Sequence, residues 1–231
     1  MVEKFLSCFE ITENNDETIP WQHRQKGKLK ICSKHVNPGK HRPLKLYSNR
    51  KNHRYEENYL EEWIAREPSA LFPDQEVMII ASQNYIFLQE KIDLLFLNQD
   101  SEFQIVELKI EPITPHTIWE QVQRYTQFLL RIDDPYIHFS SYYSRFSEKF
   151  YGHSYDFSQQ VEKCCEKKLD IPPQICKIYV AECSDECSDE YSVNFLFEKG
   201  QQEKNKVRCI FYKFFPQDDV HYIEFWEVFP N

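Results

Sequence analysis

Lys91-Ile-Asp93-Leu-Leu-Phe-Leu97 and Phe103-Gln-Ile-Val-Glu107-Leu-Lys109 decide the fold. Both segments are rich in apolar and β-branched residues, and Asn98-Gln-Asp-Ser101 between them supplies turn-forming side chains. They predict the two strands of a hairpin. Side chains alternate faces along a strand, which sets Glu107 and Lys109 on one face and Val106, Leu108 and Ile110 on the other. A three-residue loop over Gln99 to Ser101 pairs Asn98 with Glu102, and that register brings Asp93 opposite Glu107 on the same face. Two carboxylates and an amine then converge on one patch of an otherwise apolar pair of strands. A two-faced hairpin with its polar side in water accounts for the pattern. So does a divalent-cation site, because Mg2+ takes one or two carboxylates together with water and phosphate oxygens. A neighbouring lysine can orient or deprotonate the attacking water, or steady charge on a phosphate.

The flanking sequence predicts what surrounds this hairpin. Upstream, Leu60, Trp63 and Ile64 form an apolar stripe at helical spacing, so a helix is expected from about Arg54 to Arg66, ended by Pro68. Glu57 stands one turn before Leu60, where it can reach the acidic patch; a glutamate favoured by the helix dipole is the alternative. Gln75 to Ala81 reads as a strand. Downstream, Thr114-Pro115 provides an N-cap and a proline at the first helical position. Ile118, Val122, Tyr125 and Leu129 then recur at helical spacing. Gln121 and Tyr125 are i, i+4 neighbours at the edge of that face. The aromatics between Tyr136 and Tyr151 are expected to pack a core, with stacking on unpaired bases as the alternative. Phe157 to Leu169 fits a helix, and Ile175 to Ala181 a strand. Tyr191–Phe197, Val207–Phe215 and His221–Phe229 read as three further strands. Near the start, Phe5 to Ile11, Lys28 to Ser33 and Pro43 to Tyr47 predict a small β-rich extension.

The 231 residues suit one domain with elaborations, and 41% hydrophobic with 16% aromatic content is ample for a packed core. No apolar run approaches the ~20 residues that span a bilayer. The first residues lack the apolar centre of a signal peptide, so a soluble, cytoplasmic protein without membrane partners is expected. In that setting the eight cysteines are expected to be reduced thiols. Cys164, Cys165, Cys183 and Cys187 could bring zinc together, but they lack the close C-x-x-C spacing that structural zinc favours. The net charge of −9 is unevenly spread. Residues 21–54 hold eleven Lys or Arg, four histidines and no acid, leaving 17 basic against 37 acidic side chains elsewhere. Local field, more than net charge, governs phosphate contact. Lys40, Arg42, Lys45, Arg50, Lys51, Arg54 and Arg124 are therefore candidates to hold a nucleic-acid backbone, with a solvated basic arm as the alternative. No glycine-rich phosphate loop and no flanked Ser or Cys nucleophile is visible.

Glu57, Lys91-Ile-Asp93, Glu107-Leu-Lys109 and Gln121-Val-Gln-Arg-Tyr125 follow one another as helix, strand, strand, helix. In that order they resemble the PD-(D/E)XK nuclease superfamily, and most closely its NucS-type DNA endonucleases. The likeness covers residues 55–131, with Ile175–Ala181 as the following core strand. Ile92 stands where the superfamily's name has proline, and Glu90 near where related enzymes often have glycine. The resemblance implies an α/β fold with a restriction-endonuclease-like mixed β-sheet flanked by helices. It implies a metal-dependent endonuclease hydrolysing phosphodiester bonds in DNA. Asp93, Glu107 and the Leu108 carbonyl would hold Mg2+ or Mn2+ and Lys109 would orient the water. Glu57 would add a metal or water contact, and Gln121 and Tyr125 would support the site. The division expected is a basic extension over residues 1–53 and a nuclease-like domain over 54–231, whose segment 135–231 is a β-rich elaboration. A homodimer would suit double-strand cutting, though no coiled-coil device is visible. The rival expectations are a catalytically silent nuclease fold that binds nucleic acid, and a protein-interaction module docking through the basic segment.

Overall fold

The hairpin forms as the turn chemistry requires. β4 (Leu94–Asn98) and β5 (Phe103–Lys109) are antiparallel. Leu94 pairs with Val106 and Leu97 with Phe103, and the Asn98 amide donates to the Glu102 carbonyl at 3.1 Å. Asn98 Oδ1 then holds the loop by accepting from the amides of Asp100 (3.1 Å) and Glu102 (2.9 Å). Ser101 takes φ 64°, the left-handed backbone that a three-residue hairpin loop needs near its end.

The computed structural model describes residues 2–12, 28–31, 60–61, 63–82, 92–109, 114–182, 190–217 and 220–230. Within them one eight-stranded sheet runs in the order β2-β1-β8-β7-β6-β5-β4-β3. The remaining strands are β1 (Val2–Thr12), β2 (Lys28–Ile31), β3 (Val77–Ser82), β6 (Ile175–Glu182), β7 (Lys206–Gln217) and β8 (Val220–Phe229). β5, β6 and β7 are parallel, and every other pairing is antiparallel. The parallel centre is buried on both faces, with Phe103 to Leu108 and Ile175 to Val180 all inside, as parallel strands demand. β1 and β2 continue the same sheet beyond β8 instead of forming a separate layer.

Helices cover both faces, so the class is α/β. α1 (Pro115–Leu129), α2 (Pro135–Tyr151) and α3 (Phe157–Cys164) connect β5 to β6, and α4 (Glu190–Gln202) connects β6 to β7. On the face bearing Phe103, Ile105 and Glu107, Phe103 meets Phe139 of α2, with ring centroids 5.6 Å apart. Phe139 in turn meets Phe157 of α3 at 5.4 Å. Phe139, Tyr143, Phe146 and Phe150 are buried, so the aromatic run packs a core as expected. The opposite face is closed by residues 60–72, where Phe72 sets its edge against Phe96 at 5.4 Å. Arg208 of β7 also donates to the Leu71 carbonyl there, at 3.0 Å.

Two expected elements are corrected. Tyr191–Phe197 was expected as a strand because Tyr191, Val193, Phe195 and Phe197 alternate; the segment is helical, as part of α4. The buried set is Val193, Leu196 and Gly200, at the i, i+3, i+7 spacing of a helix, while Tyr191 is 72% exposed. Gly200 permits close packing, since a Cβ there would lie 2.5 Å from Val207 Cγ2. The helix expected over Phe157 to Leu169 ends at Cys164. Cys165 is extended, and the Glu166 amide turns to the Gln99 carbonyl at 3.0 Å. The strand expected at Pro43 to Tyr47 lies outside the described residues. Among those described, no helix is long and apolar enough to cross a membrane.

Candidate functional site

Asp93 stands at the bend before β4 and is 2% exposed. Hydrogen-bonded pairs alternate along an antiparallel ladder, so extending the register past Leu94 would set the Leu108 amide against the backbone of Ile92. The chain leaves the ladder there, and Asp93 Oδ2 accepts the Leu108 N–H instead, at 2.8 Å. The carboxylate thus replaces a missing rung. The Leu108 carbonyl leaves β5 on the same side as its amide, toward the end of the hairpin where Asp93 sits.

Glu107 is fully buried, and the Lys109 amine donates to its Oε1 from two positions along the strand. The i, i+2 spacing therefore delivers the shared face that the sequence predicted. A buried carboxylate is tolerated when paired and hydrogen-bonded, and Lys109 supplies that pairing while keeping 13% of its side chain accessible. α1 packs on β5. It buries Tyr125 and leaves Gln121 half-buried at its edge, where Gln121 Nε2 donates to the Tyr125 hydroxyl at 2.8 Å.

Of the basic candidates only Arg124 is described. It is exposed on α1 and lines a groove of about 460 Å3 between α1 and α4 with His116, Trp119, Phe195 and Lys199. Glu57, Lys40, Arg42, Lys45, Arg50, Lys51 and Arg54 lie outside the described residues.

The sequence reading missed the next strand's contribution. Parallel pairing aligns Ile105 with Lys177 and Glu107 with Tyr179, so both β6 side chains share the Glu107 face. Lys177 is fully buried, 3.9 Å from the Trp119 ring centroid. Its amine donates to Gln123 Oε1 (2.7 Å) and Glu203 Oε2 (3.3 Å). Burial lowers its pKa, against the opposing pull of Glu203. A lysine and a tyrosine at i, i+2 in a core strand were the available signal, legible only once β6 is set beside β5.

Asp93, Glu107 and the Leu108 carbonyl are hard oxygen donors suited to Mg2+ or Mn2+, which fill the rest of their shell with water and substrate oxygens. The bond to Leu108 does not exhaust the Asp93 carboxylate, which offers about four lone-pair sites. A cage made by protein alone is another matter: among the described residues no group of three or more His, Cys, Asp or Glu is placed to hold a metal ion.

The adjacent thiols Cys164 and Cys165 are free and donate to the carbonyls of Leu97 (3.6 Å) and Asn98 (3.3 Å). The neighbouring Cys164 thiol and Ser101 draw Cys165 down to about 7 against the effect of burial. Burial pushes Cys176 up to about 12 and Cys209 higher still. Iodoacetamide at pH 7.5 should therefore alkylate Cys165 ahead of Cys176 and Cys209, since the thiolate is the reactive form. Peptide mass spectrometry checks the order, and even labelling of the three would contradict it.

Compared with known proteins, the chain matches no family model, no curated protein and no solved structure.

Proposed function

We propose that this chain is a metal-dependent endonuclease that hydrolyses phosphodiester bonds in DNA on a restriction-endonuclease-like core. The observation that carries this reading is the latch from Asp93 to the Leu108 amide. It holds one carboxylate at the hairpin end beside Glu107-Leu-Lys109, whose acid and amine share a face. The order of elements supports it: three antiparallel strands, a helix bearing Gln121 and Tyr125, then a strand parallel to β5.

Each residue has a role that follows from its chemistry. Asp93, Glu107 and the Leu108 carbonyl would hold the cation, which would supply Lewis acidity at the phosphate and lower the pKa of water. Lys109 pairs with the buried Glu107 and would present its amine to the attacking water or the scissile phosphate. Gln121 fixes the Tyr125 hydroxyl at the edge of the site. Arg124 and the basic segment 21–54 hold the DNA backbone without reading bases.

The complete burial of Glu107 favours one rival, a silent nuclease fold that binds DNA through its basic residues. Purified protein with Mg2+ or Mn2+ against single-stranded, duplex, flap and RNA substrates separates the two. Metal-dependent cutting of DNA is expected. Salt-sensitive binding without turnover would establish the rival, because phosphate contacts weaken steeply with salt.

A further inference from the structure

We propose that Tyr179 is a further positioning residue of the candidate site, its buried hydroxyl set beside Glu107 to fix that carboxylate when a cation binds. The proposal rests on the nuclease reading and adds to it a residue of β6 to which that reading gives no role.

Three observations carry it. The β5–β6 register makes Tyr179 the cross-strand neighbour of Glu107, and parallel pairing puts both side chains on one face. Tyr179 is 5% exposed, so water is largely kept from its ring. Its hydroxyl nevertheless has no hydrogen-bond partner among the described residues. Buried tyrosine hydroxyls ordinarily find partners, and an unmet one marks strain held for a purpose or a partner that arrives with a ligand. The described groups that act on it electrostatically limit that purpose. Cys209 and Cys176 are weak partners, and Glu203 is already engaged by Lys177 and Asn205. Among the described residues, Glu107 is the remaining carboxylate that acts on it. A phenol hydroxyl can donate one hydrogen bond. A donor to a ligating carboxylate fixes the orientation of that ligand, directly or through one water. Such outer contacts typically govern metal affinity by about 10- to 100-fold.

Tyr179→Phe tests this with almost no change of shape. Removing a hydroxyl that lacks a partner should leave thermal stability equal or raised, whereas removing one bonded within the fold would lower it. We expect the variant to melt at or above the wild-type temperature and to need about 10-fold more Mg2+ for half-maximal cleavage. Its kcat should fall at fixed Mg2+ with KM for DNA unchanged. Calorimetric titration with Mn2+ reads the same loss without turnover, as weaker binding by the variant. Unchanged Mn2+ affinity and Mg2+ dependence would overturn the proposal, and so would a clearly lower melting temperature. Absence of metal-dependent cleavage in the wild type would overturn the nuclease reading and this inference with it. Normal cutting by both proteins would overturn this inference alone.

Discussion

Asp93→Asn is expected to lose Mg2+-dependent cleavage by about 100-fold or more while keeping the native fold. The structure determines the choice of asparagine. Asp93 Oδ2 completes the ladder through the Leu108 N–H, so alanine would strip a buried amide of its acceptor, at about 1–3 kcal/mol. That would blur loss of chemistry with loss of structure. Asparagine still offers a carbonyl oxygen to Leu108 and removes only the negative charge. A bound cation contributes several kcal/mol of charge stabilisation, and each ~1.4 kcal/mol is tenfold in rate. Single-turnover cleavage alongside circular dichroism is the check. An Asp93→Asn protein that cuts as the wild type does would remove Asp93 from the metal site and leave it a structural rung.

The largest stability effect is expected on the other face of the sheet. Arg208 Nε and Nη2 grip Glu227 at 2.8 and 3.1 Å. The same guanidinium donates to the Leu71 carbonyl and lies 5.5 Å from the Phe72 ring centroid. Glu227 is 8% exposed. Arg208→Ala leaves that carboxylate in a poorly hydrated place, and breaking such a pair by removing one partner costs about 3 kcal/mol or more. In a chain of this size that lowers the melting temperature by roughly 6–12 °C. The double variant Arg208→Met with Glu227→Met should recover most of the loss, because apolar replacements of a buried pair are often neutral. Equal melting of Arg208→Ala and wild type would show that the pair contributes little.

The sequence was most informative where local chemistry and periodicity agreed. Turn residues from Asn98 to Ser101 set the register that pairs Leu94 with Val106 and Leu97 with Phe103; Asp93, expected opposite Glu107, stands just outside that ladder and bonds the Leu108 amide. α1 was legible because Thr114-Pro115 marks its start and Ile118, Val122, Tyr125 and Leu129 form its buried stripe. α4 was misread because its four aromatic and β-branched residues alternate, and the tight seat of Gly200 against Val207 that favours a helix lies across the fold. Tyr179 and Lys177 escaped notice for a related reason: their meaning depends on which strand lies beside β6. The latch role of Asp93 was hidden too, since a carboxylate that substitutes for backbone looks no different in sequence from one that awaits a ligand.

The pairing of β1 with β8 has a kinetic consequence. Val2 sits opposite Phe229 and Ile11 opposite His221, so β1 cannot dock on this edge until β8, far along the chain, has been made. Until then both β1 and the outer side of β7 present open backbone to any passing chain, and sequence-distant closures of this kind are slow and prone to aggregation.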